Sequence, residues 1–268
     1  MENADPLGER IKNNFENRTR YYVPRRTYTI IRLDGCHFKT YTRKLKRPFD
    51  RDLYQDIETA IKNIMPLIQG SVLAYAQSDE ISILLCDFAT PNTDAWFDGN
   101  IQKICSVSAS TLTAEFNKLR IERTIKNTAC ESFDAVTSLL DIPLATFDAR
   151  VFSIPDRTEV MNYFRWRQQD WIRNSVSMIA QTLYSHKELY KKSTSDKHEM
   201  LHQKGVNWAD DFTDREKNGL FVFKAKDFIQ SSNDTTQYIE QSRWVAMGAW
   251  KFTGDDGQLL GEIPTYEM

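Results

Sequence analysis

No stretch of this chain approaches the roughly 20 consecutive apolar residues that a membrane-spanning helix needs. The opening M-E-N-A-D-P-L-G-E-R lacks the apolar core of a secretory signal, so the expectation is a soluble protein of the cytoplasm with no membrane partner. Cysteine is scarce. Cys36, Cys86, Cys105 and Cys130 are the four, and their spacings match neither a C-x-x-C motif nor a zinc knuckle. They read as unpaired thiols of a reducing compartment, serving as core or bystander residues. Internal repeats and low-complexity segments are missing too, which excludes a solenoid. Net charge is close to absent, at −2 over 268 residues.

What is present is 41% hydrophobic and 12% aromatic content, enough for a real core in one large domain or two intimate ones. The small net charge hides an asymmetry. Residues 1–47 hold twelve Lys and Arg against five Asp and Glu, so this segment is +7 and the remainder −9. The cations cluster in N-R-T-R-Y-Y-V-P-R-R (17–26) and R-K-L-K-R-P (43–48), with aromatic residues inside or close by. Such clusters suit a polyanion, either a nucleic-acid backbone or a triphosphate, and equally a solvated surface.

The β-branched and aromatic run T-Y-T-I-I-R-L (27–33) predicts a strand that ends at an Asp34-Gly35 turn. After Asp50, a suitable N-cap, Leu53, Ile57, Ala60, Ile61, Ile64 and Ile68 recur at helical spacing until Pro66 and Gly70 close the segment. Two antiparallel strands follow, 71–77 and 80–86, then an amphipathic helix with Phe97, Ile101, Ile104, Cys105, Ser108, Leu112 and Phe116 on one face. A-T-F-D-A-R-V-F-S-I (145–154) is another strand, ended by Pro155. This order is the split βαβ, or ferredoxin-like, arrangement of the α/β (α+β) class, in which the end of the first strand meets the hairpin between the second and third. The chain divides into a core with a basic N-terminal arm, 1–155, and a mostly helical extension packed on it, 156–268. That extension has a long helix near 157–184 and an irregular acidic end.

Q-S-D-E (77–80) lies between the two hairpin strands. Carboxylates gathered at strand ends, with a carbonyl from a glycine turn, form an oxygen cage for hard cations such as Mg²⁺. Two such ions serve in-line phosphoryl displacement, the chemistry of polymerases and cyclases. Neighbouring strand residues face opposite sides, so Asp79 is expected as the ligand alongside Asp34, with Glu80 supporting it from behind. Arg32, Lys44, Lys46 and Arg47 would neutralise a triphosphate. D-G and Q-S-D-E are also ordinary turn sequences.

R-L-D-G-C-H-F, K-R-P-F-D, A-Y-A-Q-S-D-E-I-S-I-L-L, F-D-A-R-V-F and W-R-Q-Q-D, in this order, resemble the tRNA-His guanylyltransferase superfamily over roughly residues 8–220. The resemblance implies a palm-like catalytic core with Asp34, Asp79 and Glu80 as its catalytic carboxylates. Two Mg²⁺ ions would be held by Asp34, the Gly35 carbonyl and Asp79. It implies nucleotide addition in the 3′→5′ direction to tRNA 5′ ends, with ATP for activation and GTP or another nucleoside triphosphate as donor. The nucleotide stretch would comprise His37, Phe38, Arg47, Asp50, Ser78 and Lys103. Contacts to tRNA would fall to Arg25, Arg26, Lys44, Arg167, Arg173, Asn174, Lys187 and Lys197, and the assembly would be a homo-oligomer, a tetramer by resemblance. Two departures matter. Ile172, Arg173, Asn174 and Ser175 replace the His-Ile-Asn-Asn that follows W-R-Q-x-D in the eukaryotic enzymes, and Phe49 replaces an Asn in the nucleotide region. Both resemble the bacterial and archaeal "like" branch, which implies templated repair of 5′-truncated tRNAs over strict addition of G to histidine tRNA.

H-E-M-L-H (198–202) matches the H-E-x-x-H helix of zinc peptidases. No further His follows it, and Asp196, Lys197, Glu199 and Leu201 fit a D-K-x-E-x-L helix of the resembled family instead. Trp166 and Trp171 in the long helix read as core residues. A non-catalytic RNA-binding protein and a zinc peptidase are the rivals of other classes.

Overall fold

The computed structural model describes residues 5–127, 142–230, 238–252, 261 and 263–265; Cys130 lies outside them. The core order matches the expected one: β1 (Tyr28–Gly35), α3 (Arg51–Ile64), β2 (Ser71–Gln77), β3 (Glu80–Cys86), α4 (Ile101–Asn127) and β4 (Phe147–Ile154). Two short helices, α1 (Pro6–Asn14) and α2 (Phe38–Tyr41), flank β1. The long helix α5 (Arg157–Leu183) leads to four short ones, α6 (His186–Leu189), α7 (Thr194–Gln203), α8 (Trp208–Asp211) and α9 (Asp214–Asn218).

The C-terminal region departs from expectation. Leu220–Gln230 and Tyr238–Gly248 are strands, β5 and β6, and the six strands form one antiparallel sheet in the order β4-β1-β3-β2-β5-β6. An irregular acidic end was expected there. The aromatic and β-branched F-V-F and R-W-V-A runs carry the strand signal that the acidic surroundings masked.

Alternation along the strands splits the core into two layers. Ile31, Leu33, Ile81 and Ile83 face α3 and α4, meeting Ile57, Ile61, Leu112 and Phe116. Ile30, Tyr75 and Leu84 face α5 and meet Val160 and Phe164. A third cluster of Phe49, Tyr54, Trp171, Val176, Ile179 and Leu201 binds the second half of α5 to the start of α3 and to α7.

Caps fix where these helices begin. Asp50 accepts from the Leu53 N–H at 2.8 Å and Asp156 from the Glu159 N–H at 2.9 Å, satisfying donors that have no partner within the helix. Buried Asp56 of α3 pairs with Arg120 at 2.9 Å and Arg123 at 2.6 Å, which locks α3 to α4. Among the described residues no helix is long and apolar enough to cross a membrane.

Candidate active site

β1 and β3 pair with Leu33 opposite Ile81, so the two strands end together with Gly35 beside the hairpin turn. That turn is Ser78-Asp79, with Ser78 in the left-handed region at φ 52°. The close approach requires glycine at 35. A Cβ there would stand 2.8 Å from Asp79 Oδ2 and 2.4 Å from the Phe38 ring. On its other side β1 pairs with β4, which places Asp34 opposite Asp148, and Arg150 Nη2 lies 4.0 Å from Asp34 Oδ2. The structure thus brings Asp34, Gly35 and Asp79 to one end of the sheet.

Burial pushes the Asp79 carboxyl from 3.8 up to about 6. Its own backbone N–H and the Ser78 hydroxyl pull it down, while the charges of Asp34 and Glu80 push it further up. This is negative charge held together without full compensation, the condition a divalent cation relieves. Two carboxylates and a strand-end carbonyl are a donor set of the hard-oxygen kind and fit Mg²⁺. Among the described residues no three His, Cys, Asp or Glu side chains converge to hold an ion by themselves.

Glu80 takes a different part from Asp79. It is 8% exposed, and its Oε1 accepts from Arg167 Nε at 2.6 Å and Gln77 Nε2 at 3.0 Å. Its Oε2 accepts from Arg167 Nη2 at 2.9 Å and from Arg32. A carboxylate gripped by a bidentate arginine and a second arginine is an anchor for the hairpin. It therefore braces the hairpin from behind, the supporting place expected of it. Arg32, expected to neutralise a triphosphate, is paired with Glu80, and Arg167, expected on an RNA surface, is 4% exposed.

Beside the hairpin opens a cleft of about 360 Å³. Its lining includes Arg47, Asp50 and Ser78, together with Lys46, Lys39, Thr42, Tyr54 and, from α5, Met178, Gln181 and Thr182. Asp50 serves as a cap here, accepting from the Leu53 and Lys46 N–H groups. The Tyr54 hydroxyl is buried with no hydrogen-bond partner among the described residues, and burial raises its pKa. Lys39, Lys46 and Arg47 are exposed in the cleft lining, and Lys44 is exposed in the same loop. Lys39 and Tyr54 were not singled out from sequence, although Lys39 stands in the H-F-K-T continuation of the turn.

Other expected site residues lie elsewhere. His37 is exposed with φ 53° at the start of α2, outside the cleft lining. Phe38 is a core residue, 5% exposed and packed on Phe116 and Phe147, because the strand-end glycine draws its ring inward. Lys103 sits in the first turn of α4, which joins the chain before β1 through the Tyr22–Asn100 bridge. That is the sheet end opposite Asp34. Arg25 is tied there as well, to Asp87 at 2.8 Å and Asp98 at 3.2 Å, and Arg26 donates to the Asp87 carboxylate and the Pro91 carbonyl. These two arginines fasten the N-terminal arm to the 87–98 loop.

Arg173 and Asn174 are exposed on α5, with Arg173 Nη2 3.1 Å from Asp170 Oδ1. Lys187 is exposed on α6, and Lys197 is half-buried, donating to Ser177 Oγ at 2.9 Å. Of the two tryptophans read as core, Trp171 is 3% exposed and Trp166 is 50% exposed, so the expectation is corrected for Trp166. His198 packs edge-on against Trp208 with ring centroids 5.4 Å apart, and burial lowers its pKa.

The same architecture occurs in a bacterial tRNA(His) guanylyltransferase (Thg1)-like protein solved in complex with ATP, at 36% identity and a TM-score of 0.80, covering 96% of this chain and 99% of that one. Its complex with GTP matches at 34% identity and a TM-score of 0.74 over the same shares. The tRNA(His) guanylyltransferase of Debaryomyces hansenii is 26% identical over 238 residues, 80% of each chain. A protein of Acanthamoeba polyphaga mimivirus, R259, is 29% identical over 191 residues, 67% of this chain and 64% of its own length. The family model described as Thg1, tRNAHis guanylyltransferase, matches residues 8–155, the segment that contains both strand-end aspartates and the cleft-forming loop. With its palm-like sheet, paired carboxylates and basic cleft, the chain belongs to the tRNAHis guanylyltransferase (Thg1) family.

Proposed function

We propose that the protein is a Mg²⁺-dependent nucleotidyltransferase that adds nucleotides in the 3′→5′ direction to tRNA 5′ ends, in templated repair of truncated acceptor stems. The observation that carries this reading is the meeting of Asp34, Gly35 and Asp79 at one end of the sheet, next to Ser78, which lines a basic cleft. Mg²⁺ held by the two carboxylates and the Gly35 carbonyl would supply Lewis-acid stabilisation of the phosphoryl oxygens. The chain's own groups do the rest. Lys39, Lys46 and Arg47 offset triphosphate charge, and the buried Tyr54 hydroxyl offers a donor to a nucleotide in the cleft. Glu80, held by Arg32 and Arg167, keeps the hairpin and its Asp79 in place. Positioning and electrostatics are enough for phosphoryl transfer, and no protein nucleophile is needed.

ATP and GTP are bound by the bacterial relative, and both are proposed as substrates here, ATP for activating a 5′-monophosphate. The RNA surface is proposed to include Lys44, Arg173, Asn174, Lys187 and Lys197. The assembly is proposed to be a homo-oligomer, a tetramer by family. Ile172 and Arg173, standing where eukaryotic members have His-Ile, favour selection by base pairing over histidine identity.

The test uses four 5′-truncated tRNAs that differ only at the templating nucleotide, each offered all four nucleoside triphosphates with and without Mg²⁺. The added base should follow the template and require the metal. Guanosine added in every case, or only to full-length histidine tRNA, refutes repair and leaves nucleotidyl transfer standing.

A further inference from the structure

We infer that Trp166 is a stacking platform for the 5′-terminal base of the RNA, on the same helix that walls the nucleotide cleft and about three turns before that wall. This rests on the nucleotidyltransferase reading and adds to it where the acceptor end lies.

Among the described residues Trp166 is the one tryptophan classed as exposed, at 50%. Its position follows from the packing of α5. One turn earlier, Tyr163 meets Phe152 of β4 at 5.6 Å and hydrogen-bonds Ser82 of β3 at 2.8 Å. Trp166 packs 6.0 Å from the Tyr163 ring, further toward the end of the sheet that holds Asp34. Arg150 lies two residues beyond Phe152 on the same face of β4, 60% exposed and 4.0 Å from Asp34. The indole therefore stands on the side of the sheet that Arg150 and Asp34 share. The cleft lies further along the same helix, between Met178, Gln181 and Thr182 of α5 and Asp50, Leu53 and Tyr54 at the start of α3.

The indole is also held in place. The buried Arg167 guanidinium lies 4.4 Å from its ring centroid while gripping Glu80. One face is thus backed by a fixed cation and half of the side chain remains open to solvent. A rigid, half-exposed ring on the side of the sheet that carries Asp34 and the exposed Arg150 suits a base with its phosphates better than a protein partner. Every base has a π-face, so such a platform tolerates whichever nucleotide the truncated end presents.

The test measures RNA affinity and addition with Trp166→Phe, Trp166→Leu and Trp166→Ala, using a 5′-truncated tRNA and the same tRNA with an abasic 5′ end. Trp166→Leu keeps an apolar cover over Arg167 without a π-face, and thermal melts check that each variant folds. For the Leu and Ala variants the Kd and KM for RNA should rise about tenfold, from the usual strength of one base–aromatic stack, with KM for the triphosphate unchanged. Trp166→Phe should recover most of the loss. The slope of log K against log salt should stay as in the wild type, since no phosphate contact is removed. On abasic RNA, wild type and variants should bind alike. Equal binding of intact RNA by Trp166→Leu and wild type, or losses from the variant and the abasic end that add in full, overturns the platform while a working wild type keeps the enzymatic reading. A wild type that transfers no nucleotide to any RNA removes both.

Discussion

Asp79→Asn is expected to make the metal-free protein more stable while abolishing its activity. The carboxyl's rise from 3.8 to about 6 means that the folded state holds a proton the unfolded chain has released. The native state is therefore favoured below the unfolded value, and that advantage is lost as pH rises through about 6. At about 1.4 kcal/mol per pH unit, the full cost of ionised Asp79 at pH 8 is about 3 kcal/mol. Asparagine keeps the shape and carries no charge, so it escapes this cost. For a chain of this size about 3 kcal/mol corresponds to roughly 5 °C or more in melting temperature. The assay is a thermal melt of wild type and variant in chelator at pH 5 and pH 8. At pH 5 the variant's advantage should be about half its value at pH 8, and it should disappear only below the unfolded value of 3.8. Added Mg²⁺ should raise the wild-type melting temperature by mass action and leave the variant's unmoved. A wild type as stable as the variant at pH 8 in chelator refutes the idea that Asp79 carries uncompensated charge.

Asp34→Ala and Asp79→Ala should each abolish nucleotide addition with circular dichroism unchanged, because both stand at strand ends outside the core; near-normal turnover in either would sink the two-carboxylate site. Arg167→Met leaves buried Glu80 with Arg32 and Gln77 alone, and should cost about 3 kcal/mol in urea unfolding, with a matching loss on Asp56→Ala, which takes the carboxylate from Arg120 and leaves Arg123 only Asp52 and Gln55. Neutralising Arg43, Lys44 and Lys46 together should weaken tRNA binding and flatten its salt dependence, and an unchanged slope would move the RNA surface toward Arg173 and Lys197. Converting His198 and His202 to Ala should remove no zinc-dependent activity, since His198 is engaged with Trp208; stoichiometric zinc in the purified wild type, lost in the double variant, would contradict this.

The parts of the molecule legible in the sequence were those set by local periodicity. Ile57, Ile61 and Ile64 announce α3, and the two short apolar runs 71–77 and 80–86 on either side of Ser78-Asp79 announce a hairpin whose register leaves Asp79 beside Gly35. Strand parity sets Asp79 and Glu80 apart in the sequence, and the pairing of Glu80 with Arg167 and Arg32 shows which of the two is left free. Which cations are free was not legible, because a charge finds its partner through the fold. Arg25 meets Asp87 and Asp98 across some sixty to seventy residues, and Arg167 meets Glu80 across 87. Composition gives all of them the same look as Lys44 or Arg47. The α5 wall of the cleft, Met178, Gln181 and Thr182, arrives from a hundred residues away and has no local signature. Phe38 shows the converse: an aromatic residue beside an Asp-Gly turn reads as a ligand contact, but a glycine at 35 lets its ring fall into the core.

The pairing of β2 with β5 through Leu73–Ala76 and Leu220–Phe223 bears on how the chain is made. Strands β1 to β3 leave the ribosome early, yet β2 finds its outer neighbour only when residue 223 has emerged. The Ile30, Tyr75 and Leu84 face likewise waits for residues 157–183 to cover it. At synthesis rates of about 5–20 residues per second, the interval from residue 86 to residue 223 lasts on the order of ten seconds. For that time the nascent protein presents an unpaired strand edge and a bare apolar face, both of which invite association with other chains. Its successful production therefore depends on the cell's capacity to shield a growing polypeptide, and a message truncated near residue 155 would yield a product with no means of hiding either surface.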